Sequence, residues 1–182
     1  FYNCSGITNL DMGQSVQTIG IGSFGNCTGL QTLVIPNSTK TIEGQAFLGC
    51  TALAEVTLGT GLERIGTYAF YQYGFTTLTL PSTLKTIGGY AFYGCSSLAL
   101  TSLPDGVTSI GEDAFYKCSK LTSITIPDSV KSIGEGAFED CSSLTSVYIT
   151  DIEAWCNIDF EYASNPLYYG ADLYLNNTLV TD

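Results

Sequence analysis

Residues 115–126 run Phe115-Tyr-Lys-Cys118-Ser-Lys-Leu121-Thr-Ser-Ile124-Thr-Ile126, and residues 138–149 run Phe138-Glu-Asp-Cys141-Ser-Ser-Leu144-Thr-Ser-Val147-Tyr-Ile149. Both fit one rung, Phe-x-x-Cys-x-x-Leu-x-x-(Leu/Ile/Val)-x-(Ile/Leu). The rung Phe recurs at Phe1, Phe24, Phe47, Phe70, Phe92, Phe115 and Phe138, so successive steps are 23, 23, 23, 22, 23 and 23 residues. A fixed period of this size with apolar residues held in phase predicts a solenoid, whose coils bury their hydrophobic faces only by stacking. Coils therefore start near residues 1, 24, 47, 70, 92, 115 and 138.

Within a coil each stretch has its own chemistry. Leu-x-x-Ile-x-Ile with Thr or Val between is a short strand of alternating faces, expected to pair in parallel with its equivalent in the next coil. Pro36, Pro81, Pro104 and Pro127 close it, because proline has no ladder donor. A Thr-Ile-Gly or Ser-Ile-Gly follows, with Ile42, Ile65, Ile87, Ile110 and Ile133 inward and Gly20, Gly66, Gly88, Gly111 and Gly134 expected to serve a backbone turn. Runs such as Glu112-Asp-Ala-Phe-Tyr-Lys117, acids first and base last, favour a helix of one or two turns. The fourth coil is one residue short between Tyr73 and Leu78, where Phe75 is expected to replace the missing Leu. The fifth has Thr101 where an apolar residue belongs, which suggests a bulge with Leu100 turned inward.

The run Leu-x-x-Ile-x-Ile-Pro-x-x-Val-x-x-Ile-Gly-x-x-Ala-Phe-x-x-Cys, as it stands in Leu121 to Cys141, resembles the BspA-like (Treponema-type) leucine-rich repeat. The resemblance covers residues 1–150 and implies an α/β, right-handed leucine-rich-repeat solenoid with one short parallel strand and one short helix per 23-residue coil. Residues 151–182, including Glu153-Ala-Trp-Cys-Asn-Ile-Asp-Phe160, resemble the longer, atypical repeat of such arrays, or a capping segment of the same domain. Members are typically bacterial surface or secreted proteins that adhere to or bind macromolecules, so the resemblance implies cell-surface or secreted localisation. It supplies no catalytic residues.

Composition narrows the function further. The 182 residues are 45% hydrophobic, enough for one sizeable core, and no apolar run approaches the roughly 18 residues of a membrane span. The chain opens at Phe1 in phase with the repeat and without a signal segment, which predicts a fragment of a longer protein. Any targeting signal would then lie outside it. A net charge of −11 opposes binding to nucleic acid or anionic lipid. Beyond Lys131 the acids Glu135, Glu139, Asp140, Asp151, Glu153, Asp159, Glu161, Asp172 and Asp182 are unopposed in sequence. They are either a solvated acidic end or a docking face for a basic partner or divalent cation.

Six of the seven cysteines, Cys4, Cys27, Cys50, Cys95, Cys118 and Cys141, follow the rung Phe by three residues, with Tyr73 in the remaining coil. Equivalent side chains in stacked coils point the same way, which is poor disulfide geometry, so free thiols filling the core are expected. Their spacing also lacks the close pairs of a zinc site, and no metal or cofactor is predicted. The chain contains no His, which removes the usual general base and every Ser-His or Cys-His pair. The pairs Glu112/Asp113 and Glu139/Asp140 follow no organised pattern among the repeats, and the chain is read as non-catalytic.

Two sets of residues remain as binding candidates. The outward strand positions form ladders of Thr32, Glu55, Thr77, Leu100, Ser123 and Ser146, and of Val34, Thr57, Thr79, Ser102, Thr125 and Tyr148. From these Glu55, Thr57, Thr79, Ser102, Thr125 and Tyr148 are the candidate contacts for an extracellular protein, such as host matrix or another microbial surface protein. Thr and Ser are equally ordinary exposed strand residues. The C-terminal aromatics offer an alternative, a carbohydrate site using Tyr162, Tyr168 and Tyr169. Trp155 and Phe160 are expected to fill the core of an irregular coil.

Overall fold

A computed structural model describes residues 1–181 as a parallel β-solenoid of seven coils followed by a longer C-terminal winding; Asp182, the last of the acids named above, lies outside the described residues. In chain order the elements are β1 (Thr18–Ile19), β2 (Thr32–Val34), β3 (Thr41–Ile42), β4 (Glu55–Thr57), β5 (Arg64–Ile65), β6 (Thr86–Ile87) and β7 (Ser109–Ile110). They continue as β8 (Ser123–Thr125), β9 (Ser132–Ile133), β10 (Ser146–Ile149), α1 (Ile152–Cys156), β11 (Asp159–Phe160), a 3-10 turn (Pro166–Tyr169), β12 (Asp172–Leu175) and β13 (Thr178–Leu179).

The strand systems differ in continuity. The Thr/Ser-Ile pairs build a seven-stranded parallel sheet in the order β1-β3-β5-β6-β7-β9-β11, in which Ile42, Ile65, Ile87, Ile110 and Ile133 are aligned and buried. The Leu-x-x-Ile-x-Ile strands, expected to form the main sheet, split into a two-stranded sheet β2-β4 and a four-stranded sheet β13-β12-β10-β8. Between these, coils four and five contribute only the single bridge Ser102↔Thr125. The gap begins in the coil that is one residue short. There Phe75 is buried edge-on to Phe70, and in the next coil Leu100 is buried while Thr101 is exposed.

The core is a column of rings. Successive rung Phe side chains stack with centroids 5.4–5.8 Å apart and planes within 15°. All but Phe1 are buried. Each such ring contributes roughly 1.5–3 kcal/mol by leaving water. The rung thiols do more than fill space. Cys27, Cys50, Cys95, Cys118 and Cys141 each donate from Sγ to the carbonyl of the rung Phe one coil earlier, at 3.1–3.3 Å. Tyr73 replaces this bond in the fourth coil, donating its hydroxyl to the Phe47 carbonyl and accepting from the Cys50 amide at 3.0 Å. All seven cysteines are free, and Cys156 alone is exposed. Burial holds the Cys95 and Cys141 thiols up at about 12, which keeps them protonated as donors.

One helix per coil is met only loosely, since the Ala-Phe segments are turns and α1 is the α-helix among the described residues. The reason lies in two backbone positions. The residue two before and the residue two after the rung Phe are left-handed throughout, as at Tyr90 (φ 56°) and Gly94 (φ 68°), or Asp113 (φ 51°) and Lys117 (φ 58°). Such residues break a right-handed helix. The turn amides donate instead to the next coil, as Tyr90 to Glu112, Phe92 to Ala114 and Gly94 to Tyr116, at 2.7–2.8 Å. The Ile-Gly glycines are not left-handed. Their role is close approach: a Cβ on Gly111 would lie 2.3 Å from the Gly89 nitrogen and one on Gly134 2.5 Å from the Glu112 nitrogen.

The C-terminal winding joins both strand systems. β11 pairs with β9, placing Phe160 beside Ile133, and β12 pairs with β10, placing Leu173, Tyr174 and Leu175 beside Val147, Tyr148 and Ile149. Asp151 caps α1 by accepting from the Glu153 and Ala154 amides, and Trp155 is buried with its ring 5.1 Å from that of Phe160.

Candidate functional site

The outward positions of the broken strand face lie beside three neighbouring depressions. The first, of about 330 Å³, is lined by Thr57, Thr77, Thr79 and Pro81 among others. The second, about 490 Å³, shares Thr79 and extends along the bulged segment from Ala99 to Asp105. The third, about 440 Å³, shares Thr101 and Ser102 and is lined by Ser123, Thr125, Tyr148, Asn176 and Asn177. The first two flank the weakly paired coils four and five, whereas the third lies mostly over the paired strands β8 and β10 and the tip between β12 and β13.

The five candidates Thr57, Thr79, Ser102, Thr125 and Tyr148 thus line adjoining depressions, with direct register between Ser102 and Thr125 and between Thr125 and Tyr148. Glu55 is exposed in the other column, opposite Thr32, and lines none of the three. The face carries one carboxylate, Asp105, among hydroxyls, amides, one phenol and apolar side chains such as Leu80 and Leu103. Tyr148 stacks on Tyr174 with centroids 5.0 Å apart, so the ladder ends in an aromatic pair. Tyr174, Asn176 and Asn177 belong to the same surface. Asn176 and Asn177 are both left-handed and form the tip between β12 and the antiparallel β13. The sequence signal for Tyr174 was the triplet Leu173-Tyr-Leu175, which repeats Val147-Tyr-Ile149 after a longer interval.

The C-terminal aromatics are three separate groups. Trp155 and Phe160 pack together, Tyr148 and Tyr174 belong to the strand face, and Tyr162, Tyr168 and Tyr169 are exposed elsewhere. Tyr168 and Tyr169 meet edge to face at 5.3 Å, and Tyr169 donates its hydroxyl to the Ala163 carbonyl at 3.0 Å. Burial, followed by the nearby Glu139 carboxylate, pushes the Tyr169 phenol up. Among the described residues no group of three or more His, Cys, Asp or Glu side chains is placed to hold a metal ion. No described helix is long and apolar enough to cross a membrane.

The BspA type leucine rich repeat region matches this sequence in six copies, over residues 1–74 and 63–164. The chain belongs to the BspA-type leucine-rich-repeat family. Solved relatives of this BspA-type chain agree. It is 33% identical to the leucine rich repeat protein of T. pallidum, TM-score 0.68, over 78% of this chain and 66% of that one. It is 34% identical to a leucine rich cell surface protein of Faecalibacterium prausnitzii, TM-score 0.64, over 70% and 34% of the two chains. A leucine-rich repeat protein of Bacteroides ovatus is 30% identical, TM-score 0.65, over 80% and 40%. The chain thus spans just under two thirds of the first of these relatives and less than half of the other two. No curated protein matches it. The family is one of repeat scaffolds that generally mediate interactions rather than catalyse reactions, and a cell-surface protein is among the structural relatives.

Proposed function

We propose that this BspA-type chain is a non-catalytic protein-binding and adhesion module of a bacterial cell-surface or secreted protein. It engages an extracellular protein through the strand face of Thr57, Thr79, Ser102, Thr125 and Tyr148. The observation that carries this reading is the run of adjoining depressions along that ladder, ending at the stacked Tyr148 and Tyr174. Aromatic residues at the end of a largely uncharged groove have the character of binding hot spots, whereas the Thr and Ser positions supply hydrogen bonds and shape. A panel of immobilised extracellular-matrix proteins tests the proposal. Tyr148→Ala should weaken the captured interaction by at least about tenfold without unfolding the solenoid. Capture that is unchanged by Tyr148→Ala and Thr125→Ala together would remove the strand face from the proposal.

A carbohydrate-binding reading keeps one observation of its own, the exposure of Tyr162 and Tyr168, at 76% and 70% of their surfaces. Such rings can stack on sugars. A glycan array discriminates between the two readings, because enrichment lost in Tyr162→Ala and Tyr168→Ala but kept in Tyr148→Ala would replace the first with the second.

A further inference from the structure

The turns carry side chains that the repeat does not require. Tyr68 and Tyr90 stand two residues before their rung Phe, and Tyr71, Tyr93 and Tyr116 stand one residue after it. Stacking of the coils turns these positions into two adjacent columns. Tyr68 lies on Tyr90 at 4.5 Å, Tyr71 on Tyr93 at 4.8 Å and Tyr93 on Tyr116 at 4.6 Å, all within 20° of parallel. The columns touch each other, since Tyr68 meets Tyr71 at 5.5 Å and Tyr90 meets Tyr93 at 5.8 Å. All five rings are half-buried, and none belongs to the strand face.

Carboxylates continue the same columns. Asp113 follows Tyr90 in one and Glu139 follows Tyr116 in the other, with Glu112 accepting from the Tyr90 hydroxyl at 2.6 Å. Burial, with repulsion from Glu112, Glu139 and Glu135, raises the Asp113 carboxyl, so these charges are crowded. One cation of the chain reaches the patch: Lys117 Nζ lies 5.0 Å over the Tyr116 ring and 4.0 Å from Asp140 Oδ2. Lys117 thus sits at Tyr116, the last ring of its column, and at a carboxylate at once, the two kinds of group the patch offers a cation.

We propose that the five-tyrosine stack and its carboxylate flank form a second binding surface, for an extended Lys/Arg-rich segment of a partner protein. Charge complementarity favours this occupant, because the acids around Asp113 and Glu139 outnumber Lys117. A glycan fits less well, since ring faces inside the stack are covered by neighbouring rings and only edges and hydroxyls point outward. Arginine can donate to those hydroxyls and to the carboxylates together.

The test is fluorescence anisotropy with a labelled peptide of alternating Arg and Gly, at about 0.15 M salt, where exposed charges are screened beyond about 8 Å. Tyr90→Ser with Tyr93→Ser should weaken binding by about tenfold at unchanged net charge. Lys117→Met, which frees the Tyr116 face and Asp140, should tighten binding several-fold more than Lys131→Met, which alters net charge equally. If the serine pair unfolds the coils, Tyr90→Phe with Tyr93→Phe keeps the stack and should still lose affinity measurably. Equal tightening by the two lysine variants would overturn the proposal, as would a folded tyrosine variant that binds like the parent. Either outcome would reduce the effect to general attraction by an acidic chain.

Discussion

Two strand systems wind through the same seven coils, and they respond differently to the same irregularity. The Thr/Ser-Ile sheet is continuous from Thr18 to Phe160, whereas the Leu-x-x-Ile-x-Ile strands stop after β4 and resume at β8. The residue missing from coil four lies between Tyr73 and Leu78, immediately before the second kind of strand. By Thr86 the register is restored, and Ile87 again pairs with both Ile65 and Ile110. Close backbone approach fixes the continuous side at Gly66, Gly88, Gly111 and Gly134, whereas Gly74 in the shortened stretch has open space around it. Slack is therefore taken up on the other side, and it appears there as grooves. A repeat protein can thus place a potential binding surface by shortening one coil, without disturbing the ring column beneath.

That column should be the costliest part to break. Phe115 is fully buried between the rings of Phe92 and Phe138 in the regular region, where both strand systems are paired nearby. Phe115→Ala should destabilise by roughly 3–5 kcal/mol in urea unfolding, from lost burial and the cavity between coils. The same change at Phe1, which is 71% exposed, should cost about 0.5 kcal/mol or less. A loss below about 1 kcal/mol for Phe115→Ala would mean that coils close over such a gap, and that ring stacking does not set the spacing of the regular region.

A smaller effect is expected inside the gap. Tyr73 substitutes for a rung thiol, and its hydroxyl satisfies two backbone groups of the preceding coil, the Phe47 carbonyl and the Cys50 amide. Tyr73→Phe keeps the ring and leaves the Cys50 amide and the Phe47 carbonyl only their bond to each other, at 3.1 Å, so the loss should be roughly 0.5–1.5 kcal/mol. Hydrogen exchange should then show Cys50 and its neighbours opening before coils six and seven. If the loss is evenly spread, or absent, the shortened coil is held by Phe75 and Leu78 packing alone, and the contrast between the two regions rests on strand pairing only.

The period of 23 residues made the ring column, the inward isoleucines and the solenoid itself legible, because each is fixed by a residue type repeated in phase. Trp155 in the core and the inward Leu100 were legible for the same reason, as departures from a known template. The turns were not. Their acids-first, base-last runs suit a helix, but the left-handed residues two positions either side of the rung Phe are occupied by Gly, Asn, Gln, Tyr, Asp and Lys, with no single residue type to mark them. Which strand system would be continuous was also hidden, since it depends on close approach between coils rather than on strand propensity. The strand-face candidates were found by alternation, yet the grooves beside them have no local signal, and Tyr174 is marked as the partner of Tyr148 only by the triplet Leu173-Tyr-Leu175, which the irregular spacing hides.

The buried rung thiols carry a further, subtler mark in their response to alkali. Cys95 and Cys141 have thiols held at about 12 against an ordinary value of 9.0, because burial disfavours the thiolate. A group whose folded value is raised contributes stability that is fully present below the unfolded value and is lost as pH rises toward the folded one. The midpoint of urea unfolding should therefore be flat up to about pH 9 and decline above it, by at most roughly 1.4 kcal/mol per pH unit for each such thiol. Cys95→Ala removes one of these groups and should make the decline shallower by up to that slope, although it lowers stability at neutral pH by leaving the Phe70 carbonyl without its donor. The exposed Cys156 sets the contrast: it should react with a thiol reagent in the folded state at pH 8, while Cys95, Cys118 and Cys141 stay protected until the coils open. Rapid labelling of Cys95 at neutral pH would show that the boundary between the gap and the regular coils opens readily. The ring column, whose core encloses that thiol, would then be no more continuous across the boundary than the strand pairing above it.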